Sequence, residues 1–132
     1  MLARREHSAF ELRRKLLQKG FVQTDIEAGI AQLQTEGLLS DRRFAESYIH
    51  MRKGKGYGPL RIAQELKAKG VAESDFKQSL DADDQDWSTV LRHVYQKKYG
   101  DQTCDNMNEK AKRMRYLQYR GFDFQAIREL LE

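Results

Sequence analysis

The side chains of this 132-residue sequence that can do covalent or metal chemistry are few and scattered. Cys104 is the only cysteine, so no internal disulfide can form, and His7, His50 and His93 stand far apart with no metal-ligand spacing between them. The glycines of Arg52-Lys53-Gly54-Lys55-Gly56-Tyr57-Gly58-Pro59 lack the Walker spacing, and no Gly-Lys-Ser/Thr follows a strand. No serine or cysteine carries a nucleophile signature with an attendant histidine. The sequence therefore predicts no catalytic residue, no metal ligand and no cofactor. What remains is ionic and aromatic chemistry. There are 24 Lys plus Arg against 20 Asp plus Glu, a net charge of +4. Charged residues make up 33% of the chain, against roughly 25% in an average soluble domain, so the core must be thin.

The charge is not spread evenly. Residues 1–20 carry six basic and two acidic side chains, 42–70 carry eight and two, and 107–121 carry five and one, whereas 71–86 hold six acids against Lys77 alone. Such alternation can supply salt bridges between neighbouring helices, each worth ~0–1 kcal/mol when exposed. It can also make a basic stripe along an extended body, which suits a polyanionic or acidic partner.

Helices must position these charges. Pro59 is the only proline, and Leu, Ala, Gln, Glu, Lys and Arg dominate, with no sustained alternation of a strand kind. Start and stop signals predict eight helices. Ser8 with Glu11 reads as a capping box opening a helix over 8–19 that stops at Gly20. Thr24 with Glu27 reads as a second box, for a helix that stops at Gly37. Asp41 reads as the cap of a third, and Pro59, after Gly58, as the first turn of a fourth that ends at Gly70. Shorter patterns cover 73–80, 84–99, 106–120 and 124–131. No run approaches the ~20 apolar residues of a membrane helix, and residues 1–8 lack a signal-peptide core; the expectation is a soluble, cytosolic, monomeric protein.

Lining up the glycines exposes a repeat. Gly20, Gly70 and Gly121 follow one another by 50 and 51 residues. Leu16, Leu66 and Leu117 stand four before them; Lys19, Lys69 and Arg120 one before; Phe21, Val71 and Phe122 one after; Ile26, Phe76 and Ile127 six after. The predicted fold is all-α, an elongated, curved array of tandem three-helix repeats at 1–38, 39–83 and 84–132, with the first incomplete and holding two helices. Gly20, Gly58, Pro59, Gly70 and Gly121 are its structural turns.

Phe10, Phe21, Phe44, Tyr48, Phe76 and Trp87 fall at helical spacing with Leu and Ile and read as core. Tyr57, Tyr116 and Tyr119 sit beside basic residues and either stack on a partner or pack against the next repeat. Arg13 projects between Leu16 and Leu17, and either snorkels past the apolar face or is held by an acid of the following helix. Repeat phase places Arg14 and Lys15, then Arg52, Lys53, Lys55 and Arg61, then Arg113 and Arg115 on one side of the array, with Tyr57 and Tyr116 among them. These are the candidate partner-binding residues.

Several runs resemble one family. Glu6-His7-Ser8 with Glu11-Leu12-Arg13-Arg14-Lys15-Leu16, and Lys55-Gly56-Tyr57-Gly58-Pro59 with Arg61-Ile62, Glu65-Leu66 and Lys69-Gly70, look like the RecX family of bacterial RecA regulators. So do Asp41, Arg43-Phe44-Ala45 and Tyr119-Arg120-Gly121-Phe122. The Gly-Tyr-Gly-Pro helix start is the most specific part, and the resemblance covers nearly the whole chain. Members usually carry one more helix before the His-Ser cap, in keeping with the incomplete first repeat. The resemblance implies a non-enzymatic modulator that binds RecA and lies in the groove of the RecA–DNA filament, limiting recombinase, ATPase and co-protease (SOS) activity, with direct contact to single- or double-stranded DNA left open. The alternative is a stand-alone helical DNA-binding module of helix-turn-helix type. Nothing in the sequence marks its recognition helix at base-reading positions.

Overall fold

A computed structural model describes residues 6–82 and 85–132. The expected boundary between the second and third repeats, with Asp83 and Asp84, lies outside the described residues, as do residues 1–5. Among the described residues there are eight α-helices and no strand: α1 (Ala9–Gln18), α2 (Gln23–Thr35), α3 (Asp41–Gly54), α4 (Pro59–Ala68), α5 (Glu73–Leu80), α6 (Trp87–Tyr99), α7 (Met107–Tyr119) and α8 (Phe124–Leu131). No helix among them is long and apolar enough to cross a membrane.

One turn recurs three times and sets the repeat. Gly20, Gly70 and Gly121 adopt φ of +89°, +77° and +106°, a region a β-carbon penalises. The residue after each donates its N–H back five positions: Phe21 to Leu16, Val71 to Leu66, Phe122 to Leu117. In all three repeats the next helix begins three residues past the glycine, at Gln23, Glu73 and Phe124. That regularity overturns the Thr24 capping box. The α2 N-cap is Val22, with no side-chain cap, because the glycine turn already dictates where α2 starts.

The other caps fall close to expectation. Ser8 and Glu11 form the reciprocal box, Pro59 occupies the first turn of α4 after Gly58, and Asn106 caps α7. Asp41 does not cap α3. Ser40 does, accepting from the Arg43 N–H, which frees the Asp41 carboxylate for another helix. The sixth helix is shorter than expected, opening at Trp87 with Asp86 as its cap.

Each repeat buries its own apolar cluster. The first gathers Ala9, Ile26 and Ile30 with Leu39, one residue past its expected bound, the second Phe44, Ala45, Ile49, Ile62, Leu66, Val71, Phe76 and Leu80, and the third Leu91, Val94, Leu117, Phe122 and Ile127. Three small cores in a row leave much surface wet. The accessible area is 8899 Å², against roughly 7,200 Å² for a compact monomer of this mass. Phe21 is not core: it is 54% exposed, while its equivalents Val71 and Phe122 are each 3% exposed. In the second and third repeats the leading helix, α3 or α6, packs over that position. Among the described residues the first repeat has no leading helix.

Arg13 is held by an acid of the following helix. Its guanidinium grips both carboxylate oxygens of Glu27 on α2, at 2.6 and 3.1 Å.

Candidate functional site

The repeats join at two polar seams that use the same parts. At the first, the Ser8 hydroxyl donates to the Lys69 carbonyl at 3.1 Å, the Ala9 N–H donates to Asp41 Oδ1 at 2.8 Å, and Phe10 lies on Gly70. At the second, the Gly58 N–H donates to the Arg120 carbonyl at 2.8 Å and the Leu60 N–H to the Gly121 carbonyl at 3.0 Å. In both, the free N–H groups or cap residue at a helix start meet the glycine turn of the next repeat, so that turn caps a helix it does not belong to.

Around the second seam the cations converge on Tyr57. The guanidinium carbons of Arg52, Arg120 and Arg61 lie 3.8, 4.1 and 4.6 Å from its ring centroid. An aromatic face attracts cations but does not neutralise them. Glu65 supplies the negative charge, taking two bonds from Arg52 at 2.9 Å each, one from Arg61 at 3.1 Å and one from the Tyr48 hydroxyl at 2.8 Å. Burial opposes ionisation of Glu65, but the hydrogen bonds from Arg52, Tyr48 and Arg61 outweigh it and hold its carboxyl below the usual carboxylate range. Burial, then the bond to Glu65, pushes the Tyr48 phenol up to about 12. Arg120 ties the seam from the other side, donating to the carbonyls of Gly56 and Lys55.

Beside this seam an open cleft of about 450 Å³ separates the α3–α4 turn from α6 and α7. Gly54, Lys55, Gly56, His93, Val94, Lys97, Lys98, Tyr116 and Arg120 line it, and no carboxylate does. A neighbouring cleft of about 430 Å³ shares Gly54, Gly56, His93 and Val94 and extends to His50 and Lys53. Together they form a trough between α3 and α6 whose ionisable groups are histidines, lysines, one arginine and the Tyr116 phenol.

The candidate residues read from sequence divide among these places. Arg52, Tyr57 and Arg61 are half-buried in the seam. Lys53 is half-buried too, donating to Gln85 and lying over the Trp87 ring. Lys55 is exposed at the cleft, and Tyr116 is half-buried at its base with Tyr99 against its edge and the Lys98 ammonium 4.9 Å above it. Arg14 and Lys15 are exposed on α1, lining a separate groove with Tyr48, Glu65 and Lys69. Arg115 is exposed on α7. Tyr119 is 71% exposed, with Arg61 over its ring at 4.8 Å.

Arg113 corrects the expected stripe, because it is 1% exposed and belongs to no surface. It donates to the Tyr95 hydroxyl at 2.7 Å, the carbonyls of Gln102 and Thr103 at 3.1 and 3.2 Å, and Glu109 Oε1 at 3.1 Å. It is the anchor of the α6–α7 connection. Sequence reasoning missed His93, Lys97, Lys98 and Arg120 as site residues. His93 and Lys97 stand four apart on one helix face, a signal the sequence contains, but only the fold brings that face to Lys55.

Family models of the RecX first, second and third three-helix domains match residues 1–33, 40–80 and 84–131. The chain is 44% identical over 131 residues to a regulatory protein RecX of Pseudomonas putida, an alignment covering 99% of this chain and 84% of that one. It is 40% identical to a regulatory protein RecX of Vibrio vulnificus, covering 99% and 86%. The fold matches the crystal structure of RecX from Lactobacillus salivarius with a TM-score of 0.80 at 20% identity, over 98% of this chain and 86% of that one.

Proposed function

The chain belongs to the RecX family, and on that premise we propose that it is a non-enzymatic cytoplasmic regulator that binds the RecA recombinase and its filament on DNA and limits recombination, ATP hydrolysis and co-protease activity. The observation that supports this reading best is the pairing of the array with its charge. Two seams of one design hold three repeats in a row, and the exposed cations Arg14, Lys15, Lys55 and Arg115 recur along them. An extended body of this kind meets several subunits of a polymer at once, whereas a single cleft meets one.

The test is ATP hydrolysis by RecA on single-stranded DNA, which should fall as the protein is added. An unchanged rate, together with no binding to RecA monomer or filament, overturns the proposal. A stand-alone helix-turn-helix reader would bind naked duplex of one sequence in preference to others, so the same titration against two unrelated duplexes separates that reading.

A further inference from the structure

The trough between α3 and α6 shares Arg120 with the seam and Val94 with the third core, but three of its lysines form no ion pair with either. Lys55, Lys97 and Lys98 are exposed at its walls and make no salt bridge among the described residues, in a chain where most seam cations are engaged by carbonyls, a carboxylate or Tyr57. The three line one cleft, where Lys98 also lies 4.9 Å over the Tyr116 ring, and like charges sharing a cleft repel unless something anionic joins them.

We propose that this trough binds the phosphodiester backbone of a nucleic-acid strand, with Lys55, Lys97 and Lys98 as its phosphate contacts. This inference deepens the function proposed above and rests on it for the setting, a filament on DNA, but its test needs no RecA.

Three observations carry it. The two clefts are continuous through Gly54, Gly56, His93 and Val94, so the cationic surface runs on past any one small anion, toward His50 and Lys53. A polymer with regularly spaced charges uses such a length. Second, no carboxylate lines either cleft. A protein surface presents acids mixed with cations, and its cations would face lysines here at a cost of like-charge contact; a phosphate backbone carries one sign only. Third, Gly54 stands between Lys53 and Lys55 on the α3 side. A β-carbon on Gly54 would meet nothing within 4 Å, so no side chain there holds a strand away from the lysines. Lysine suits the role, being a compact ammonium that binds phosphate as a point charge on a flexible stem.

The experiment follows the binding of fluorescent oligothymidylate, and of a labelled duplex, to the full chain by anisotropy between 50 and 200 mM salt. The variant Lys55→Gln/Lys97→Gln/Lys98→Gln should bind single strands more weakly, with a salt slope shallower by about 2, since each phosphate contact on a single strand contributes roughly 0.7. The comparison variant Lys19→Gln/Lys77→Gln/Lys112→Gln removes equal charge at exposed positions outside the trough and should keep most of the slope. Thermal melting checks that both fold, and Lys97→Gln alone, expected to lower the slope by about 0.7, serves if the triple variant does not. An unchanged slope in the trough variants, or an equal loss in the comparison variant, overturns the inference. So does a trough variant that binds DNA as before but no longer lowers RecA's ATPase rate, because the trough would then meet protein. Should the parent protein leave RecA unaffected while the trough variant loses DNA, the inference stands and the proposed function falls. Relative loss on the two probes tells whether the strand is single or paired.

Discussion

Gly58 and Gly121, from different repeats, meet backbone to backbone with no room for a side chain on either. A β-carbon on Gly58 would lie 2.5 Å from the Gly121 carbonyl carbon and oxygen, and one on Gly121 would lie 2.4 Å from Arg61 Cβ and 2.9 Å from the Gly58 oxygen. The close approach is what lets the Gly58 and Leu60 N–H groups reach the turn carbonyls, so the two glycines define the second seam together.

Alanine at the three turn glycines should therefore separate strain from crowding. All three positions carry positive φ, which costs a non-glycine residue about 1–2 kcal/mol. Gly20→Ala meets open space and should lose only that amount. Gly70→Ala, with Phe10 at 2.4 Å, and Gly121→Ala should lose more. The stricter Gly70→Val should melt clearly below the parent protein. Thermal unfolding checks the order, and equal losses at all three positions would show that the seams tolerate a side chain.

Arg113→Lys should destabilise almost as much as Arg113→Met. A guanidinium reaches four acceptors around one plane, while an ammonium cannot span them, and each hydrogen bond from a charged group is worth about 1.5–3 kcal/mol. Chemical denaturation of both variants measures it. A lysine variant as stable as the parent would mean that charge, and not the fork of donors, holds the α6–α7 connection.

Acid should weaken the second seam. Glu65 titrates below its unfolded value of 4.5 in the folded protein, so its contribution is present above pH 4.5 and disappears as pH falls through the lower folded value. Glu65→Gln should remove this part of the pH dependence, flattening the plot of melting temperature below pH 4.5. The Tyr48 phenol acts at the opposite end. Its folded value of about 12 lies above the ordinary 10, so its contribution holds below pH 10 and is lost between 10 and 12.

Arg61→Ala and Lys55→Ala should part company. Sequence phase groups the two residues on one basic side, but Arg61 bonds Glu65 and the Tyr119 carbonyl and covers Tyr57, whereas Lys55 is exposed at the cleft. Losing Arg61 should cost about 1–3 kcal/mol, and losing Lys55 no more than ~0.5 kcal/mol. Melting curves of the two single variants decide it.

The helices were legible because their punctuation is local. α5 and α8 begin and end where glycine phase and apolar spacing place them, and the RecX-like runs point to the family from residues alone. Two neighbouring signals competed at Thr24, where a plausible box stood one residue inside a start that Gly20 had already determined. Asp41 misled for another reason, since its acceptor role is real but serves the Ala9 N–H 32 positions away. Arg113 was unreadable as an interior residue, because two of its four acceptors are loop carbonyls that carry no sequence signature. The trough was half visible: Lys55 and Tyr116 stand in charged, aromatic runs, while Lys97 and Lys98 matter only after the 56–58 turn folds against Arg120.

Because each repeat keeps its own apolar cluster and the seams are polar, the molecule behaves as three coupled units, not one block. Neighbour coupling in such a lattice is carried by a handful of bonds and a pair of glycines, so opening need not be all-or-none. The first repeat, with Leu17, Phe21, Val22 and Leu38 uncovered, has the least to lose on opening. Its amides on α1 and α2 should exchange with solvent from a shallower excursion than those of α4 or α7, leaving a frayed front and a persistent rear in the same native population.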